Sequence, residues 1–176
     1  MQNYSLFELI KEHLRQPEYI HALLRVFPVE GLALGILALV IALALRSRPA
    51  QITALALVFL CSAMAWPVVH FGQESFDRIE SMTSSDQAHA WLEAHAYRGT
   101  KNAFVFYIVA VVSLAALIVP WKFPRTAPWL AGATLALAVA AMGVGVWISY
   151  AGGQIRHSEF RYGLPPEKPD VYDNMH

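Results

Sequence analysis

Residues 129–159 read WLAGATLALAVAAMGVGVWISYAGGQIRHSE. From Trp129 to Ala151 there is no charged side chain. A helix needs roughly 20 such residues to cross a hydrocarbon layer about 30 Å thick. The polar end then arrives abruptly, with Gly152, Gly153, Arg156, His157 and Glu159 in quick succession. Counting back from His157 in fours gives Gly153, Ser149, Gly145 and Ala141, which in a helix is one stripe of small residues ending in an imidazole.

Three further segments have the same character. Together the four cover about residues 28–45, 52–71, 102–119 and 129–151, separated by short polar connections. Hydrophobic residues make up 56% of the 176 and charged residues only 15%, well below the roughly 25% of soluble domains. The fold class this predicts is all-α, an integral membrane four-helix bundle. One transmembrane domain spans 1–161, and an extended, proline-containing tail follows over 162–176. Residues 1–25 lack the continuous apolar core of a cleavable signal peptide, so the first span is expected to direct insertion.

Basic residues in short loops set orientation. Arg46 and Arg48 lie in the first connection, Lys122 and Arg125 in the third, and neither connection contains an acid. These two loops are expected on the cytoplasmic side, with both termini periplasmic in a bacterial inner membrane. Net charge is zero and no region forms a basic patch, which argues against a nucleic-acid partner. The lone cysteine, Cys61, reads as a small core hydrophobe and excludes an intrachain disulfide.

Outside the spans, Ser5 and Glu8 have capping-box spacing, and Leu6, Phe7, Ile10 and Leu14 line one face. An N-terminal amphipathic helix follows, lying on the membrane interface or packed on the protein's own loops. Pro67 predicts a kink in the second span. Residues 72–101 read as a middle loop containing a short helix capped near Ser85.

The chemistry-bearing residues gather at one end. His21 precedes the first span, His70 closes the second, His95 precedes the third and His157 follows the fourth. An up-down-up-down bundle puts all four on the outer face. Imidazole is a ligand for haem, copper, iron and zinc, and bundles build cofactor sites from facing helices. These histidines are therefore the candidate metal ligands, for haem b or another metal. The small stripe offers a flat slot for a porphyrin, or a helix–helix contact. Arg25, Arg98 and Arg156 lie at the same level and suit propionate groups. A quinone site at this level would draw on the same residue types.

Other classes find little support. There is no G-x-S-x-G, H-E-x-x-H or P-loop pattern. His157, Ser158 and Glu159 are sequence neighbours, which a helix splays apart. Apart from Glu30 near the surface, no intramembrane carboxylate marks a transport path. A redox subunit predicts converging histidine nitrogens. A non-catalytic structural or assembly subunit predicts rings bonded to the protein's own carboxylates and carbonyls.

The chain resembles the bacterial membrane proteins grouped as domain of unknown function 2231. Members look like four-helix proteins with an H-P-x-x-x-H-F-P lead-in to the first helix and a double glycine after the last. His21, Phe27 and Pro28 match the lead-in, while Ala22 and Val26 stand in place of its proline and second histidine. Gly152, Gly153 and Ile155 match the exit, and Arg156-His157-Ser158-Glu159 departs from the commoner L-V-Y-x-H-G ending. His95 also fits. The resemblance covers about residues 19–160. It implies an electron-transfer setting, since members look like partners of cytochrome c and Rieske-like modules. The function expected on these grounds is that of a membrane-embedded redox subunit working with other membrane or periplasmic redox subunits.

Overall fold

The computed structural model describes residues 5–163 and Pro166. It is all-helical among those residues. Helix α1 is Leu6–His13, α2 is Pro17–Leu24, α3 is Leu32–Ala44 and α4 is Arg48–Ala63. They are followed by α5, Ala65–Glu74, α6, Phe76–Ser81, α7, Asp86–Ile118, and α8, Ala127–Arg156. Most of the expected tail, residues 164–165 and 167–176, lies outside the described residues.

Several of these helices join end to end into four rods, Pro17–Ala44, Arg48–Glu74, Asp86–Trp121 and Pro124–Arg156, each long and apolar enough to cross a membrane. At 1.5 Å per residue they are about 40 to 54 Å long, so each exceeds a hydrocarbon layer of about 30 Å. Consecutive rods pack on one another, and α8 also closes on α3.

Local chemistry sets the joints. In the first rod Pro28 has no N–H to give, and residues Phe27–Gly31 form a π-helical turn in which Leu32 N bonds back to Phe27 O. In the second rod Pro67 leaves the carbonyl of Ala63 without its usual donor, and α4 ends at that residue. Where the sequence predicts a kink at Pro67, the structure shows a break in the α-helix one turn earlier, at Met64 between Ala63 and Ala65. Ser5 and Ser85 cap α1 and α7 by accepting from Glu8 N and Ala88 N, both at 3.2 Å.

The middle segment differs from expectation. Residues 72–101 are mostly helix: α5 runs on to Glu74, α6 follows, and α7 continues from Asp86 to Ile118 in one piece. Gly99 and Thr100, near the end of the expected loop, sit inside that helix because packing against α8 outweighs the weak cost of one glycine.

Small residues let the rods approach. Leu32, Val58, Cys61, Phe106, Val109, Ala138 and Ala141 form one core cluster, and Leu39, Ala54, Leu55 and Ala116 a second. Cys61 is buried there as a small hydrophobe. Gly31 brings the first rod so close that a Cβ on it would lie 2.7 Å from Cys61 Sγ. Ser113 bonds back to Val109 O at 2.7 Å, closing its polarity within its own helix.

Candidate functional site

His21 and His95 meet at the end of the bundle away from the two short basic connections. Their ring centres are 6.3 Å apart and their planes cross at 86°. Each ring is fixed in the same way. His21 Nδ1 donates to Val68 O at 2.8 Å, and His95 Nδ1 donates to Ile148 O at 3.0 Å. Each lies against a glycine four residues beyond its acceptor. A Cβ on Gly72 would be 2.9 Å from His21 Nδ1, and one on Gly152 would be 3.0 Å from His95 Nδ1.

The physical reason is shared. A glycine in a helix leaves the backbone one turn earlier uncovered, so a flat ring can lie on it and reach the carbonyl. Val68 is four before Gly72, and Ile148 four before Gly152. The second rod thus receives a histidine from the first, and the fourth receives one from the third. Committing Nδ1–H to a carbonyl fixes the tautomer and leaves Nε2 as the lone-pair nitrogen of each ring. That is the usual preparation of a metal-binding histidine.

Arg25, one turn from His21, acts electrostatically on both rings. Arg98 also acts electrostatically on His95, while its guanidinium is held on the fourth rod. Its guanidinium lies 4.3 Å from the centre of the Trp147 ring and donates to Trp147 O at 3.2 Å. Arg156 is exposed in the last turn of α8.

The other two candidate ligands stand apart from this pair. His70 stacks on Trp66, 5.5 Å away with planes only 9° apart, and its Nε2 is 3.6 Å from Glu74 Oε1. His157 donates through Nδ1 to Glu159 Oε1 at 2.9 Å and stacks on Phe160. That bond holds the exposed Glu159 carboxyl below its ordinary range. The stripe beneath His157 is filled at Gly145 and open at Gly153. A Cβ on Gly145 would meet Phe106 Cζ and Val29 Cγ2, both at 3.2 Å, so at that position it is a helix-packing contact, and Ser149 is exposed.

Among the described residues no group of three or more His, Cys, Asp or Glu side chains is placed to hold a metal. Two neighbouring imidazoles do not complete the three or four protein ligands of a zinc site. A haem would ask only two donors of the protein, and the Nε2 atoms of His21 and His95 would be those donors.

The residues that the sequence reading missed are the backing groups, Val68 with Gly72 and Ile148 with Gly152. Gly72 read as the first loop residue. The signal available was that each even-numbered span ends in a glycine just past its apolar run.

An all-helical, four-rod protein with a histidine pair at one end is the class this geometry defines. No protein-family model, no curated protein and no solved structure matches the chain.

Proposed function

We propose that this chain is a membrane-embedded electron-transfer subunit that holds haem b, or another metal, between His21 and His95. The carrying observation is the pair itself: two rings 6.3 Å apart, each with Nδ1 committed to a carbonyl and Nε2 left over. Arg25, whose charge acts on both rings, supplies positive charge for a propionate. Bound haem supplies one-electron chemistry. The protein's part is ligation, orientation and electrostatic tuning. Other membrane or periplasmic redox subunits are the partners in this reading, in line with the resemblance to domain of unknown function 2231.

Membrane embedding is supported by what the rods leave outside. Leu34, Leu37, Ile41, Leu60 and Val111 are all exposed. Only 28% of the most apolar window is buried in the first and fourth rods. Trp121 and Trp129 are more than four-fifths exposed beside the Lys122 connection, as aromatic anchors at an interface are. Helix α1 buries none of its residues and exposes Leu6 and Phe7, which suits it to the interface better than to the protein's own loops. With Arg46, Arg48, Lys122 and Arg125 cytoplasmic, the histidine pair and both termini face the periplasm of a bacterial inner membrane.

The absorption spectrum of purified protein, oxidised and then dithionite-reduced, tests the site. A Soret band with sharpened reduced bands is expected, lost in His21→Ala and His95→Ala and kept in His70→Ala and His157→Ala. A featureless spectrum from cells supplied with haem overturns the haem assignment.

One observation favours a second reading, a structural or assembly subunit of a larger membrane complex. All four rings have partners within the protein: two backbone carbonyls, Glu74 and Glu159. In that case the pair locks the helical hairpins together, and the variants lose stability with no band to lose.

A further inference from the structure

His70 points to a second site. It lines a cleft of about 330 Å3 between the second and third rods. Trp66, His70 and Gln73 come from the second rod, and Thr100, Phe104 and Tyr107 from the third. Gly72, two residues from His70, backs His21 instead, and a helical offset of about 200° carries the two residues to opposite sides of the rod. The cleft is therefore separate from the histidine pair.

Its lining is specific. Trp66 and His70 stack on one another with their planes 9° apart and form an aromatic wall. Phe104 is half-exposed on the third rod beside it. Its polar lining residues are Gln73, Thr100, His70 and Tyr107, with Tyr107 about two helical turns along its rod from Thr100. Among the described residues no Lys, Arg, Asp or Glu lines it. An anionic phospholipid headgroup would find no counter-charge in this lining, whereas a neutral ring with carbonyl oxygens finds aromatic walls and hydrogen-bond donors. The volume is at the small end for ligand pockets, which suits a ring head whose tail remains in the bilayer.

We infer that this cleft binds the ring of a neutral, lipid-soluble quinone. The inference rests on the membrane reading above but not on haem at the histidine pair. It gives Trp66, His70 and Tyr107 the role of ring contacts, through stacking and through hydrogen bonds to the carbonyl oxygens.

Photolabelling with an azidoquinone in phosphatidylcholine nanodiscs, competed by decylubiquinone, is the test. The label is expected on peptides containing residues 66–73 and 100–107, and competition is expected to saturate. Tyr107→Phe and His70→Ala should each weaken competition by about tenfold, the effect of one lost hydrogen bond with its ring in place or removed. Both positions are at least partly exposed, so folding is retained, and circular dichroism checks it. Label spread evenly along the rods, or unsaturable competition, or equal capture of an acyl-chain photoprobe at the same peptides, overturns the inference. His21→Ala separates the two sites: it should abolish the haem band and leave quinone labelling unchanged.

Discussion

Gly72 and His21 are so close that a single methyl group cannot be added between them: a Cβ on the glycine would lie 2.9 Å from the ring nitrogen that donates to Val68. Gly152 and His95 repeat the relationship in the other half of the chain. Gly72→Ala and Gly152→Ala are therefore expected to push the ring off its acceptor. Each should cost about 1–3 kcal/mol. Thermal unfolding in detergent measures the cost, and a change in the absorption band in either variant ties it to the site. A variant with unchanged stability and unchanged spectrum would show that the contact relaxes without consequence.

Gly31 and Cys61 allow a double-mutant cycle in the core. Gly31→Ala places a methyl 2.7 Å from Cys61 Sγ and should destabilise by about 1–3 kcal/mol. Cys61→Ala removes the obstructing sulfur. The double variant should recover about 1 kcal/mol or more relative to the sum of the single changes. Strict additivity of the unfolding free energies would argue against the contact.

Glu159 should respond to pH through His157. Its carboxyl is held below the ordinary range chiefly by the His157 hydrogen bond, so its folded value is depressed. The stabilising interaction is then complete above the ordinary glutamate value of about 4.3 and is lost as pH falls through the lower folded value. A carboxyl titration followed by NMR should show this, and His157→Ala should move Glu159 up toward the ordinary range. The haem band should be indifferent to this titration, because His157 stands apart from the His21–His95 pair.

Sidedness is open to a labelling experiment. Cys61 is buried, so it serves as a silent background. Cysteine placed at Glu159 should react with an impermeant maleimide from outside intact cells, and cysteine placed at Ser47 should react only after permeabilisation. The reverse pattern would invert the orientation and put the histidine pair on the cytoplasmic side.

Much of the architecture could be read from the sequence because apolar run length is a one-dimensional property. The four long helices, the caps at Ser5 and Ser85 and the disturbance caused by Pro67 all follow from neighbours in the chain. The site was less legible. Four histidines could be assigned to one end, but which of them meet depends on how each rod is rotated about its own axis. That is fixed by packing between residues far apart in sequence, such as His95 and Gly152. The glycines were equally ambiguous, since Gly72 carries the same local signal whether it begins a loop or accepts a ring. Residues 72–101 misread as a loop for a related reason: their polarity suits a helix projecting beyond the apolar layer as well as it suits a turn.

The π-helical turn at Phe27–Gly31 sets a phase. One residue more than an α-helical turn needs is accommodated there, which rotates everything upstream by about 100° relative to everything downstream. Leu32 and Leu39 keep their places in the core while His21 and Arg25 are dialled round to the second and third rods. Excising one residue from this turn would leave the apolar pattern of the rod intact and swing the imidazole away from Val68. The aim of the site is thus written in a helical irregularity about two turns away from the ring it points.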